Sequence, residues 1–267
     1  MQFYTDSIYY HATIHQSGYN LPWLLILHGF MGSEEVLEPI IRPLSDFCNP
    51  ITIDLAGHGK TQTPVRSELF SAERQCNQLH SVIERLQIDN LWLYGYSMGG
   101  RLTYQLAAKF PGLFRGVIVE SAHCGILDYK ERKKRVVTDE EQAQKIEQKF
   151  DQFLDEWQKM PLFQHTPKPE KKRYGKIMAS QKPELMAASL RGFGAGVMPP
   201  VCESFRASKL PACLIAGEYD SKYAERLSDL ADTRPDTEFH IISNAGHRVH
   251  ADQPENMISV LSDFIRL

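Results

Sequence analysis

Apolar and polar positions alternate along this chain in two rhythms. Short apolar runs rich in aliphatic and β-branched residues predict strands at 23–27, 50–53, 91–94, 116–120, 212–216 and 238–242. Each run is four or five residues long and largely apolar, as expected of strands covered on both faces. Between them, segments of helical period predict helices at 34–46, 71–86, 100–110 and 254–264. Strand and helix in alternation build a mostly parallel, doubly wound sheet with helices on both faces. Two earlier alternating runs, at 3–5 and 9–14, predict an antiparallel hairpin at the sheet's edge.

The rhythm breaks between 125 and 200. No strand signal occurs there, and the chain reads as charged amphipathic helices: DYKERKKRVVTDEEQAQKIEQKFDQFLDEWQ, then KRYGKIMASQ, then PELMAASLRGFG. An insertion of this length between two strands of such a sheet predicts a cap over the functional site. A length of 267 residues is ordinary for one large α/β domain. The expected organisation is therefore a single domain over 1–267, with a core at 1–124 and 201–267 and a helical cap at 125–200.

Charge refines the picture. The net charge of −3 is uneven: 125–200 holds 15 Lys and Arg against 11 Asp and Glu, and the remainder 15 against 22. An acidic protein with one basic segment lacks the broad basic face of a nucleic-acid binder, so no nucleic-acid partner is expected. A local positive field suits a small anionic ligand, although solvated helices carry many charges in any case. No apolar run approaches the roughly 20 residues of a membrane-spanning helix. The start, MQFYTDSIYYH, has neither a basic segment nor an apolar stretch, which argues against a secretory signal. Cys48, Cys76, Cys124, Cys202 and Cys213 are odd in number and form no CxxC pair. That pattern argues against both a disulfide framework and a zinc site, and predicts a reducing, cytoplasmic setting.

The chemistry centres on Gly95-Tyr96-Ser97-Met98-Gly99. The pentapeptide follows the apolar run LWLY and opens the helical pattern RLTYQLAAKF, which is the strand–turn–helix of a nucleophile elbow. Its glycines are needed because the turn is tight and flanking side chains would strike the neighbouring strand. A serine hydroxyl is a weak acid, so an imidazole must take its proton and a carboxylate must orient that imidazole. Asp220 in GEYDSKY and His247 in SNAGH each follow a late strand, in the chain order Ser, acid, His. Glu218 is the rival acid, but it lies nearer the strand end than Asp220 does. His250 makes a His-x-x-His spacing with His247; with no third ligand evident it reads as a surface residue and no metal is expected. In His28-Gly29-Phe30, the Phe30 amide would join that of Met98 in an oxyanion hole. The turn DLAGHG is assigned a structural role, with His58 as a pocket residue the alternative. Together these features predict an α/β-hydrolase fold, a mostly parallel doubly wound sheet with a helical cap insertion.

The segments LHGFMGS, DLAGHG, GYSMGGR, VIVESAHCGI, FLDEWQKMPLF, SLRGFGAG, GEYDSKY and NAGH occur in the order and spacing of one family within that fold. The chain resembles the 2-succinyl-6-hydroxy-2,4-cyclohexadiene-1-carboxylate (SHCHC) synthases of menaquinone and phylloquinone biosynthesis over nearly its whole length. The resemblance implies a lyase that eliminates pyruvate from a succinyl-bearing cyclohexene carboxylate, with Ser97, His247 and Asp220 serving as a general-base system rather than forming an acyl-enzyme. It implies no cofactor or metal. The small-molecule substrate carries several carboxylates, and guanidinium groups suit carboxylates best. Arg101, four residues after Ser97, Arg135 in RKKR, Trp157 and Tyr96 are the substrate-binding residues it implies. Some relatives carry a further cap arginine where this chain reads Lys176-Ile177-Met178-Ala179-Ser180; Arg173 or Arg191 would then replace it, or that carboxylate is held otherwise.

Two other readings use the same residues. A carboxylic-ester, thioester or C–C bond hydrolase would form an acyl-serine and line its pocket with apolar groups. A non-catalytic receptor of the same fold would bind a ligand without turning it over. The basic cap and Arg101 stand against the first, and the complete Ser, His and Asp set stands against the second.

Overall fold

The structure is a computed structural model, and it describes residues 1–266. Leu267, the last residue of the expected core segment, lies outside the described residues. The strands are β1 (Gln2–Thr5), β2 (Ile8–Ile14), β3 (Trp23–Leu27), β4 (Asn49–Ile53), β5 (Leu91–Tyr96), β6 (Gly116–Glu120), β7 (Ala212–Gly217) and β8 (Thr237–Ile242). They form one sheet in the order β1-β2-β4-β3-β5-β6-β7-β8. The β1–β2 and β2–β4 pairs are antiparallel and all the others parallel, so the predicted hairpin does sit at one edge. β4, β5, β6 and β7 are buried along their whole lengths, whereas the edge strand β8 is mostly half-exposed.

Eleven helices complete the fold of the described residues: α1 (Glu38–Leu44), α2 (Ala72–Leu86), α3 (Met98–Lys109), α4 (Tyr129–Gln148), α5 (Phe150–Gln158), α6 (Lys168–Ala179), α7 (Pro183–Phe193), α8 (Cys202–Ala207), α9 (Ser221–Asp232), α10 (Val249–Asp252) and α11 (Pro254–Ile265). α2, α3 and α8 pack on one another, as do α1, α10 and α11. These two groups cover the faces of the sheet.

Local signals explain the ends. The Ser71 hydroxyl accepts the Arg74 amide at the start of α2, and Gln87 closes that helix with a left-handed φ of 51°. Asp128 caps α4 by accepting the Glu131 amide at 2.7 Å. The helix expected over 34–46 is shorter than predicted. Glu34–Leu37 is a 3₁₀ turn and α1 begins at Glu38, because Pro39 and Pro43 lack the amides that a longer helix requires.

Between β6 and β7 lie α4, α5, α6 and α7, in the stretch expected to be helical, and then α8, just beyond it. The two ends of this insertion meet at the edge of the core. Val201 donates its amide to the Cys124 carbonyl at 2.9 Å. Gly125, at φ +139°, approaches Pro200 so closely that a Cβ would stand 2.3 Å from the Pro200 Cα. Cys124 and Cys202 are joined by a disulfide, while Cys48, Cys76 and Cys213 are free and buried. This corrects the expectation of no disulfide: the two cysteines lie 78 residues apart in sequence, and only the return of the chain brings them together. Among the described residues no helix is long and apolar enough to cross a membrane.

Candidate active site

The carboxyl ends of β3, β5, β6, β7 and β8 point to one side of the sheet, and the residues singled out above follow those ends. This is where parallel α/β sheets place ligands. Ser97 immediately follows β5 and precedes α3, with φ 51° and ψ −106°. That positive φ in a non-glycine residue is the strained corner of the elbow. Its tightness is measured at Gly99, where an added Cβ would stand 2.3 Å from the Leu27 carbonyl oxygen, and at Gly95, where it would meet Thr103 Oγ1 at 2.3 Å. The corner is tied down by the Ser97 amide donating to the Glu120 carbonyl at 2.9 Å and the Gly99 amide donating to the His28 carbonyl at 3.1 Å.

The Ser97 Oγ lies 3.0 Å from His247 Nε2, and His247 Nδ1 lies 2.7 Å from Asp220 Oδ2. Asp220 and His247 are both buried. With Nδ1–H donated to the carboxylate, Nε2 is left as an acceptor for the serine proton. Glu218, the rival acid, is exposed and instead accepts the Asn244 amide at 2.9 Å. The Phe30 and Met98 amides find no acceptor among the described residues, and both residues line the same cavity as Ser97.

Two histidines brace the Phe30 loop from behind. The buried His28 accepts the Leu55 amide at Nε2 (3.0 Å), with Nδ1 2.8 Å from the Gly29 carbonyl. Burial pushes its pKa down to about 4. His58 stands beside it, its ring 5.3 Å from His28 and 5.9 Å from Phe30. Burial and the neighbouring His28 lower its pKa to about 3. His58 is not among the cavity-lining residues, in keeping with the structural role read from DLAGHG.

The cavity has a volume of about 440 Å³, within the range of small-molecule sites. Its floor is the sheet end and its roof comes from α4, α5, α6 and the connecting turn Pro161–Phe163. Trp157 packs edge-on against Phe30 at 5.7 Å and stacks on Phe153 at 5.3 Å. Tyr96 is buried, its ring against His247 and His250, and burial raises its pKa well above the ordinary tyrosine value.

Arg101 donates from Nη1 to the Phe193 carbonyl at 3.0 Å and lies over the Phe193 ring. It forms no ion pair with a carboxylate among the described residues. Burial, reinforced by the like charge of Arg135, draws its pKa down to about 10. Arg135 also reaches the cavity, but its Nε donates to Asp139 at 2.7 Å and its charge is partly offset.

Arg173 and Arg191, the two offered as replacements for a missing cap arginine, are elsewhere. Arg173 is tied to Glu170 and Glu38, and Arg191 to Glu140 and Glu147; neither lines the cavity. Helix geometry explains both, since each points along the cap surface toward acidic neighbours rather than inward.

His250 is not a surface residue. The short helix α10 turns it into the core, where it is fully buried. Its Nδ1 meets both oxygens of the buried Glu120 carboxylate at 2.9 Å, and its Nε2 lies 2.7 Å from the Tyr174 hydroxyl of α6. Tyr94 donates its hydroxyl to the same carboxylate. The prediction failed because Glu120 closes β6, and no local pattern pairs it with a residue 130 positions away.

Three more residues at the cavity escaped the sequence reading. His123 is buried, with its pKa lowered to about 3 by burial and by nearby Arg101 and other cations. Tyr223 has its ring 4.9 Å from that of His247. Arg248, directly after His247, is buried with its guanidinium between the rings of Phe163 and Tyr174. Adjacency to His247 was the signal for Arg248, and His123 and Tyr223 lie within the segments VIVESAHCGI and GEYDSKY.

The sheet order, the elbow and the Ser97, His247 and Asp220 arrangement are those of one large class. A family model described as the α/β hydrolase fold matches residues 22–254, and the chain belongs to that family. A Bacillus subtilis (strain 168) protein, provisionally named as a 2-succinyl-6-hydroxy-2,4-cyclohexadiene-1-carboxylate synthase, is 31% identical over 248 residues, covering 91% of this chain and 89% of its own. The synthase of that name from Escherichia coli O1:K1 / APEC is 26% identical over 257 residues, covering 96% and 98%. The solved structure of MenH from S. aureus superposes with a TM-score of 0.91 at 27% identity, over 96% of this chain and 98% of that one. Within the α/β hydrolases, this chain is a member of the SHCHC synthase family.

Proposed function

We propose that this protein is a carbon–oxygen lyase of menaquinone or phylloquinone biosynthesis. It eliminates pyruvate from 2-succinyl-5-enolpyruvyl-6-hydroxy-3-cyclohexene-1-carboxylate to give SHCHC. The helical insertion 125–200 acts as the cap that encloses this substrate. His247, oriented by Asp220, draws the Ser97 hydroxyl proton toward Nε2, and the serine oxygen then removes a ring proton. The electron pair of that C–H bond, at C2 beside the succinyl carbonyl, forms the C2=C3 double bond while the C3=C4 pair shifts to C4=C5 and the C5–O bond to the enolpyruvyl group breaks. Pyruvate leaves as its enolate and takes up a proton, so atoms and charge balance without an oxidant or a further reactant. The Phe30 and Met98 amides supply donors for the negative charge that develops on the way.

One observation carries this reading beyond the fold: Arg101 is an inward-facing cation beside the elbow, without a carboxylate partner. Burying an uncompensated charge is unfavourable, so its counter-charge is best supplied by an anionic ligand. The test supplies purified protein with freshly prepared substrate and follows pyruvate release and ultraviolet absorbance of the conjugated diene. Turnover is expected, and Ser97→Ala should lower it by about 10²–10⁴-fold. Pyruvate release no faster than the uncatalysed reaction would overturn the proposal.

A further inference from the structure

Arg248 is one of two arginines that are almost wholly buried among the described residues. It is 4% exposed and lines the cavity, yet it makes no salt bridge with any carboxylate among the described residues. Its guanidinium carbon lies 3.9 Å from the Phe163 ring centre and 3.7 Å from that of Tyr174. Both aromatic groups belong to the insertion, whereas Arg248 belongs to the core segment that carries His247. Its buried Nε has no hydrogen-bond partner. The two rings cover the faces of the guanidinium; its edge reaches the Tyr96 hydroxyl, and no carboxylate among the described residues takes its in-plane N–H groups.

The contrast with Arg234 is instructive. Arg234 is equally buried and also lies on an aromatic ring, that of Phe205, but it donates to the carbonyls of Ser208 and Leu210 and to the Thr237 hydroxyl. Arg234 is a structural arginine with its fork filled. Arg248 has the same stacking, but its fork faces a cavity and its Nε stays without a partner.

The cavity cations fall into two groups. Arg101 is held at the Phe193 carbonyl of α7 and Arg135 at Asp139 of α4, while Arg248 lies between Phe163 and Tyr174 of the Pro161–Phe163 turn and α6. The carboxylates that also line the cavity do not compensate Arg248: Asp139 is bound to Arg135, and Glu156 to Lys145. Positive charge therefore enters the cavity wall from two sets of elements, and Tyr96, Ser97 and His247 line the same cavity.

We propose that Arg248 is a specificity-determining residue that grips one carboxylate of the substrate, at the part of the cavity away from the Arg101 and Arg135 pair. Rigid aromatic walls on both faces hold the guanidinium plane in place, so its N–H edge is presented to a planar carboxylate in bidentate fashion. A ligand with carboxylates at two ends is thereby fixed at both ends with its ring over Ser97. This inference rests on the reading of the site as one for a multiply charged acid, but not on the elimination step itself.

Binding measurements separate the two. The probe is 4-(2-carboxyphenyl)-4-oxobutanoate, a stable benzene analogue of the product with a ring carboxylate and a chain carboxylate, together with its two monoamides. Affinities are measured calorimetrically for the full-length protein and for Arg248→Met and Arg248→Lys, each checked for a native circular dichroism spectrum. Met keeps an apolar stem between the two rings. Arg248→Met should weaken the diacid and one monoamide at least tenfold, and the other monoamide, which lacks the carboxylate that Arg248 holds, less than twofold. Arg248→Lys should fall between wild type and Met. Equal losses for all three ligands, or no loss for any, would overturn the proposal. Should Arg248→Met not fold, the same comparison in Arg248→Lys decides with smaller ratios. A protein that releases no pyruvate yet shows this pattern fails the proposed reaction and keeps the carboxylate grip.

Discussion

His250 Nε2 lies 2.7 Å from the hydroxyl of Tyr174, so the core segment that carries His247 is hydrogen-bonded directly to α6 of the insertion. The contact is the outer end of a buried chain that runs from Tyr94 through Glu120 to His250 and Tyr174. A carboxylate taken wholly out of water is tolerable only while its partners remain. His250→Ala should therefore destabilise the protein by about 3–5 kcal/mol in urea unfolding, as breaking a buried pair does. Tyr174→Phe, which removes a single donor, should cost about 1–3 kcal/mol. A change below about 0.5 kcal/mol for His250→Ala, as for an ordinary surface site, would contradict the network.

Arg101 offers a prediction of the opposite sign. Its charge is buried, unpaired by any carboxylate and close to Arg135, which is why its pKa is drawn down to about 10. Replacing it by methionine should leave the unliganded protein as stable as wild type or more so, because a buried uncompensated cation is removed. The same variant should lose about 1.5–3 kcal/mol of transition-state stabilisation on the polycarboxylate substrate. Thermal unfolding and kcat/KM measured on one preparation check both halves, and a clear drop in melting temperature would count against the anion-site reading.

Acid should unfold this protein through its histidines. His28, His58 and His123 have pKa values lowered to about 4, 3 and 3 by burial, against an ordinary value of 6.5. A base with a depressed folded pKa binds its proton more readily once unfolded. The stability it contributes is complete above pH 6.5 and is lost as pH falls toward 3–4. Each such group adds up to about 1.4 kcal/mol per pH unit to the slope. Urea midpoints between pH 7 and 4.5 should fall steeply, and His123→Gln should make the slope shallower by about one proton. An unchanged slope in that variant would show that His123 charges freely in the folded state.

Two glycines test the elbow. An added methyl at Gly99 would meet the Leu27 and His28 carbonyls at 2.3 and 2.7 Å, and neither backbone can retreat without moving β3. At Gly112 nothing lies within 4 Å. Gly99→Ala should cost about 1–3 kcal/mol or more and abolish turnover, whereas Gly112→Ala should be neutral within about 0.5 kcal/mol. A stable and active Gly99→Ala protein would refute the close approach.

Much of this architecture was legible along the chain because parallel strands covered on both faces must be short and apolar, and because an elbow cannot be built without glycine. Ser97, Asp220 and His247 each follow a predicted strand, so periodicity located the loops and loop chemistry picked out the residues. Pairings across the fold were not legible. Glu120 reads as the polar end of a strand and His250 as an exposed neighbour of His247, and nothing in the sequence singles out Arg248, because burial depends on which distant segment folds over each. Arg173 and Arg191 failed for a related reason: arginines on charged helices find acidic neighbours three or more positions away before they find a cavity. α9 was missed although the apolar positions of Ser221–Asp232 do fall on one helical face.

The disulfide between Cys124 and Cys202 closes the insertion at its root, one residue from the Gly125 and Pro200 contact. While that bond is formed, the roof of the cavity is a covalent ring mounted on the sheet rather than an arm of the chain. A protease that cut anywhere between the two cysteines would open the ring without releasing a piece, and both halves of the roof would stay moored between β6 and β7.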